Sequence, residues 1–340
     1  MTDIEAIVKD IKNRQFKPIY FLMGDEPYYI DQISNYIAEH VLDETQKDFN
    51  QTILYGLDTD PQTIVSEAKR FPMMCDHQVV IVKEAQHVKN LVSRADTDVF
   101  KSYCENPLSS TILVICYKMK KLNRNTKLAK AIIKNGLLFE SPKIKDYHMD
   151  KWISAYITKL GFTVGPKASM LLAAHLGNDL GKVVKEIEKL TINLSQNASI
   201  TEKLIETNTG ISKDYNIFEL QNALSRRDVV KANRIINYFA QNPKEHPIYM
   251  TLPGIYSYFS KIFQYHFMKE KQNDKKVAGD LRIHPFIVSE YRTAARNYPN
   301  TKVRRIFSYL HETDVKSKGV DNTSVNHGDL MKELMYKILH

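Results

Sequence analysis

Cysteine is scarce in this 340-residue chain: Cys75, Cys104 and Cys116, with no CxxC among them. Three scattered thiols argue against a disulfide framework or a cysteine zinc site and fit buried side chains in a cytosolic protein. No apolar run approaches the ~20 residues of a membrane span. The opening MTDIEAIVKDIKNRQF carries acids and has no apolar core, so no secretory or transit peptide is expected there. HExxH, GxSxG and EF-hand patterns are missing. The 11 histidines are scattered, with no His or Cys partner at ligand spacing. The expectation is a cytoplasmic protein away from membranes, with no metal, no cofactor and no catalytic residue. Glycine and proline number only 12 each, there is no low-complexity segment, and 43% of residues are hydrophobic, enough for a core in each of two or three domains.

One stretch stands out, residues 18–30, PIYFLMGDEPYYI. Its apolar run breaks at Gly24 and restarts as an amphipathic segment at Tyr28, which reads as strand, tight turn and helix. In that layout a P-loop would cradle phosphate, given GxxxxGK[ST]. Here the turn is Gly24-Asp25-Glu26-Pro27, without lysine or second glycine, and with two carboxylates where phosphate would go. A second strand, Val79-Val80-Ile81-Val82, runs into Lys83, where a P-loop ATPase places an aspartate that helps hold Mg²⁺. Both departures point to a nucleotide-binding architecture that does not bind nucleotide. The pairs Asp25/Glu26 and Asp58/Asp60 fall in expected turns, where turn chemistry accounts for them.

The first 140 residues alternate apolar runs with helical patterns. Strands are expected at 19–23, 51–55, 79–83, 111–117 and 137–140, and helices at 28–41, 61–70, 96–105 and 125–134. Continuous Val/Ile/Leu strands between helices predict a parallel sheet covered on both faces. From Asp146 onward strand signals stop. Helices are expected at 147–160, 167–176, 179–194 and 201–207, the last ending near Gly210. The third carries the stripe Leu180, Val183, Val184, Ile187, Leu190 and Leu194. Further helices follow at 218–225, 228–240, 248–270, 285–296, 301–317 and 329–339, with breaks at Pro243, Pro247, Asn273, Pro299 and Gly319. The fold class is α/β plus all-α, in three domains: 1–142, 143–210 and 211–340.

The net charge is +9, and it is uneven: −1 over residues 1–140, +2 over 141–210 and +8 over 211–340. The basic excess is C-terminal and suits an acidic partner, a nucleic acid or simply a solvated helical surface. Residues 118–134, KMKKLNRNTKLAKAIIK, are locally basic. Lys120, Lys121 and Arg124 are candidates for phosphate contact. The alternative is an exposed helix face with Leu128, Ile132 and Ile133 turned inward. The aromatics between Tyr249 and Phe267 could stack bases, but their helical spacing favours core packing or a subunit interface.

An ATPase-shaped α/β domain without its catalytic residues, then a small helical domain and a larger one, resembles the AAA+ clamp-loader subunits. The specific resemblance is to the delta-subunit family of bacterial DNA polymerase III. It covers nearly the whole chain in order. In the first domain it rests on Tyr20-Phe21-Leu22-Met23-Gly24-Asp25-Glu26-Pro27, on His77-Gln78 with the strand to Ala85, and on Leu122-Asn123-Arg124-Asn125-Thr126-Lys127. Further on it rests on Gly177-Asn178-Asp179-Leu180, Glu186-Ile187-Glu188-Lys189-Leu190, Phe218-Glu219-Leu220, Ala223-Leu224, His284-Pro285-Phe286, Asp314-Val315-Lys316-Ser317 and the last helix.

The resemblance implies a degenerate P-loop domain that binds the clamp, a small helical lid and a helical collar. It implies a non-catalytic part of a DNA-directed DNA polymerase (nucleotidyltransferase) holoenzyme in DNA replication. Its implied partners are the sliding clamp (beta subunit), the gamma/tau ATPase and delta-prime subunits, and primed DNA. The family grips the clamp with an apolar pair, which falls here on Met73 and Met74 within Phe71-Pro72-Met73-Met74-Cys75. Many relatives carry Leu-Phe there; methionine's unbranched, polarizable side chain also fits an apolar cleft. Read as residues alone, the two methionines pack beneath their own sheet. Two rival functions remain: an ATPase with an unrecognised phosphate loop, and a nucleic-acid-binding adaptor of AAA+-like fold.

Overall fold

The computed structural model describes residues 2–92, 97–209, 212, 214–322 and 324–340. Asp96, the expected start of one helix, and Gly210, an expected stop, lie outside them. Two compact units emerge: Met1–Lys145 with Asp179–Lys182, and Asp146–Asn178 with Val183–His340.

The first unit runs α1 (Thr2–Lys12), β1 (Ile19–Gly24), α2 (Pro27–His40), α3 (Glu44–Asn50), β2 (Gln51–Tyr55), α4 (Pro61–Ala68), β3 (Gln78–Lys83), α5 (Thr97–Glu105), β4 (Thr111–Lys118), α6 (Lys127–Asn135) and β5 (Leu137–Ser141). The five strands form one parallel sheet in the order β2-β3-β4-β1-β5. In register, Phe21 faces Ile115 on one side and Leu138 on the other.

Alternate residues of each strand point to opposite faces. Ile19, Phe21, Met23, Val80, Val82, Leu113 and Ile115 pack against Ile64, Val65, Phe100, Tyr103, Leu128 and Ile132 of α4, α5 and α6. Tyr20, Leu22, Val79, Ile81, Ile112 and Val114 pack against Ile7, Ile11, Ile30, Ile33 and Ile37 of α1 and α2. The central strands are therefore apolar along their whole length. From β1 the chain crosses to the far edge at β2, returns through β3 and β4, and passes over to β5. The connections after β1 and its neighbour β4 run in opposite directions, so the turn after β1 lies at the topological switch point, where α/β sheets place their ligands.

Two helices of this unit, α1 and α3, went unread in the sequence. Ile133, expected to face inward, is half exposed, while Leu128 and Ile132 are buried. Lys120, Lys121 and Arg124 precede α6 and lie in the loop after β4, not on a helix face.

The second unit holds α7 (Met149–Lys159), β6 (Thr163–Val164), α8 (Pro166–Leu176), most of α9 (Leu180–Thr191), β7 (Ser199–Ile200) and α10 (Glu202–Thr209), the first residues of α9 belonging to the first unit. It continues with α11 (Ile217–Ser225), α12 (Val229–Gln241), α13 (Ile248–His266), α14 (Asp274–Leu281), α15 (Val288–Asn297), α16 (Asn300–Ser317) and α17 (His327–Leu339). Strand signal does not stop at Asp146: β6 and β7 pair in parallel through Thr163–Ser199 and Val164–Ile200. Two residues per strand are too few to leave a readable alternation.

Residues 267–270, expected to continue the helix begun at 248, are not helical; the break expected at Asn273 is the N-cap of α14, accepting from Lys276 N–H. One large core joins α11, α12, α13, α15, α16 and α17 around Phe239, Ile255, Tyr258, Phe259, Ile306 and Met335. Glu219, at the start of α11, bonds Lys167 of α8 (2.6 Å) and Lys231 of α12. Among the described residues no helix is long and apolar enough to cross a membrane.

Candidate functional site

Gly24 ends β1 with φ +130°, and a Cβ there would lie 2.2 Å from the Ser141 carbonyl oxygen. Only glycine lets β1 pass this close to the end of β5. Three of the backbone amides that could ring a phosphate are already in use. Gly24 N–H donates to Lys120 O (3.2 Å) and Glu26 N–H to Ser141 O (3.2 Å). Pro27 has no N–H, and Tyr28 N–H donates to the Glu26 carboxylate (3.1 Å), the N-cap of α2. A helix N-terminus is a natural anion site, and here a buried side chain of the chain itself fills it. Burial pushes the Glu26 carboxyl above its ordinary value, against the opposing pull of the Tyr28 amide.

The charges around the turn are paired with one another. Lys121 lies 2.8 Å from Asp25 and 3.3 Å from Glu140; Arg124 lies 3.1 Å from Glu140. Lys118, mostly buried, lies 2.7 Å from Glu84 and 2.9 Å from Asp31. Lys83 closes β3, half-buried, with its Nζ 3.4 Å from Asn35 Oδ1. Lys120 donates to Gln86 O (3.1 Å). All three residues singled out for phosphate contact thus have partners within the chain.

The described residues hold no group of three or more His, Cys, Asp or Glu able to bind a metal ion. Burial pushes the Cys104 thiol up to about 12 and the Cys116 thiol up to about 11. Both are inert as nucleophiles near neutral pH.

The second place singled out lies between α4 and β3. Asp60 caps α4 by accepting from Thr63 N–H (2.8 Å), with Pro61 in its first turn. After Ala68 the chain turns out of the helix and presents Phe71 (76% exposed), Met73 (55%) and a fully exposed Met74, with Pro72 half-buried beside them. These methionines do not pack beneath their own sheet; that reading is overturned.

The tip stands on a braced base. Asn50, buried at the end of α3, accepts from Met73 N–H (2.6 Å) and donates to Met73 O (3.0 Å). Gln78, buried at the start of β3, shares its two amide hydrogens among the carbonyls of Glu67 (3.2 Å) and Arg70 and Thr111 Oγ1 (2.8 Å). It thereby satisfies carbonyls that the end of α4 leaves open. Met74 adopts φ +57°, a left-handed conformation uncommon outside glycine. Sequence reading missed both carboxamides. Asn50 lies 23 residues from its partner, and no local pattern announces such a bond.

By fold this is a P-loop/AAA+-like α/β domain followed by helical regions, with the turn after β1 occupied by the chain's own side chains. The family model of the DNA polymerase III delta subunit matches residues 20–141, and that of the same subunit's C-terminal domain matches residues 214–331. Together they span well over half of the chain, which belongs to the DNA polymerase III delta-subunit family of DNA replication. DNA polymerase III subunit delta of Bacillus subtilis (strain 168) is 26% identical over 316 residues, covering 91% of this chain and 90% of that protein. A solved structure of the Bacillus subtilis DNA clamp loader delta protein has a similar fold. Its TM-score is 0.55 at 24% identity, over 99% of both chains.

Proposed function

We propose that this chain is the clamp-gripping, non-catalytic subunit of a cytoplasmic DNA polymerase III clamp loader. Phe71, Pro72, Met73 and Met74 enter an apolar cleft on the sliding clamp (beta subunit) and help open it for loading onto primed DNA. The observation that carries this reading is the tip itself: three large apolar side chains held out in water by a loop whose backbone is fixed. Exposed apolar groups gathered at one point mark contact surfaces, and a few such anchors dominate binding.

The turn at Gly24 plays no nucleotide role in this reading, because three of its amides and its charged side chains are already partnered. Energy for loading then comes from the gamma/tau ATPase subunits. Residues 143–210 serve as a lid and 211–340 as a collar that joins the ATPase and delta-prime subunits. Support for the collar lies on α13, where Tyr249, Tyr256 and Phe263 recur every seven residues and Phe267 follows. Tyr249, Tyr256 and Phe267 are exposed; Phe263 is half-buried against Phe267, and both Tyr256 and Phe263 touch Phe307 of α16 along one edge. A stripe at that spacing suits packing against a neighbouring helix. The deciding experiment is binding of the purified chain to its own sliding clamp by surface plasmon resonance, wild type against Met73→Ser, Met74→Ser. Equal binding by the two would end the proposal.

A further inference from the structure

We propose that Asn50 is the positioning residue of the Met73–Met74 tip, fixing its clamp-binding shape before the clamp arrives. The inference rests on the reading of the tip given above. Three observations carry it. First, Asn50 bonds both the N–H and the C=O of Met73, the pair of bonds that a facing residue in an antiparallel ladder would supply. A strand partner is replaced here by one side chain. Second, the carboxamide is almost fully committed. Its remaining N–H donates to Gln46 O (3.1 Å) in its own helix, so the side chain cannot swing away without stranding a buried group. Third, the residue it fixes is followed by Met74 in the left-handed region, a conformation that a free loop would not hold with a non-glycine residue.

The chemistry demands asparagine. Aspartate could accept from Met73 N–H but could not donate to Met73 O. Serine has a shorter side chain with a single hydrogen to donate where Asn50 donates two, to Met73 O and Gln46 O, and glutamine would carry the same head group one carbon too far. A loop ordered in advance loses less entropy on binding, so its affinity is higher for the same contacts. Loss of the two bonds should therefore weaken clamp binding although Asn50, being buried, offers no surface to the clamp.

The test uses the full-length chain and its sliding clamp. In the free wild-type protein, the Met73 amide should exchange with solvent far more slowly than the amides of Cys75 and Asp76. Free exchange at Met73 would overturn the proposal without recourse to any variant. Asn50→Ala should lose that protection while amides of β1, β3 and β4 keep theirs, and clamp affinity should fall about tenfold. Placed on the Met73→Ser, Met74→Ser background, Asn50→Ala should cause no further loss, because the groups it positions are gone.

If Asn50→Ala binds like wild type while the methionine variant does not, the tip reading stands and the positioning role is wrong. Additive losses would likewise show that Asn50 acts elsewhere. If neither variant changes binding, both the tip reading and the inference fall. A softer variant, Asn50→Ser, should lie between wild type and Asn50→Ala in both affinity and Met73 protection. No change in either would count against the proposal.

Discussion

Lys121 reaches across the β1–α2 turn to hold Asp25 at 2.8 Å, so the place where a nucleotide phosphate would rest is bridged by an ion pair. An ATPase would present a cation to the ligand there, and this chain presents it to its own carboxylate. Isothermal titration with millimolar ATP and Mg²⁺ should show no saturable binding. Heat that saturates at micromolar affinity would overturn this expectation.

The tip variant should separate binding from folding. Removing two central apolar anchors costs ~2 kcal/mol or more, about 30-fold in affinity. Both side chains are exposed in the free chain, so stability should change by no more than about 0.5 kcal/mol. Urea unfolding alongside the binding measurement checks this. A large loss of stability would return Met73 and Met74 to the core.

Gly24→Ala should be costly even with no ligand to lose. The added methyl would meet the Ser141 carbonyl at 2.2 Å from a backbone already at φ +130°. The expected destabilisation is about 3 kcal/mol, from strain together with displacement of β5. Chemical unfolding of the variant showing less than about 1 kcal/mol would mean the turn relaxes freely.

The exposed stripe of α13 predicts an assembly defect without a clamp defect. Tyr256→Ser with Phe267→Ser should still bind the clamp but fail to co-purify with the ATPase and delta-prime subunits. Assembly at wild-type yield would place the contact on another face.

Glu219 gives the second unit an acid limb. Burial pushes its carboxyl up, but hydrogen bonds from Lys167 and Lys231 outweigh this and hold it below its ordinary value of 4.5. A depressed carboxylate stabilises the fold fully above its unfolded value, and the contribution is lost as pH falls through the folded one. Thermal unfolding from pH 6 to pH 3 should show stability falling below about pH 4.5 in the wild type. That limb should be shallower in Glu219→Gln. At neutral pH the variant should be less stable by about 1 kcal/mol, a modest figure because both lysines are partly exposed. Equal acid slopes would remove Glu219 from this role.

The sheet was legible because β1, β3 and β4 are buried on both faces and so read as unbroken apolar runs between helices. Helices α1, α3 and α14 were not, being short and largely polar. Their stability comes from contacts made by a few residues, such as Ile7 and Ile11 on the sheet or Val277 and Leu281 on α13 and α15. At the site, the missing P-loop residues could be read directly, since a motif is a local string. What replaces them could not. The pairing of Lys121 with Asp25 and Glu140, or of Asn50 with Met73, joins residues that only the folded sheet brings together. The basic run at 118–134 shows the same divide: its charge density is visible in the sequence, but the pairing of Lys118, Lys120, Lys121 and Arg124 within the chain is not.

Gln78 has a consequence for how force travels. Its side chain ties the end of α4 to Thr111, the first residue of β4, while its own backbone opens β3 and donates to Ser110 O (2.9 Å). A tug on Phe71 is therefore handed through the adjacent Arg70 to Gln78 and so to strands bonded to each other along their length. On the proposed function, a partner bent by contact with Met73 and Met74 would have to be more compliant than the arm that carries them. In this chain the rigidity is concentrated where the arm meets the sheet, and two buried carboxamides supply it.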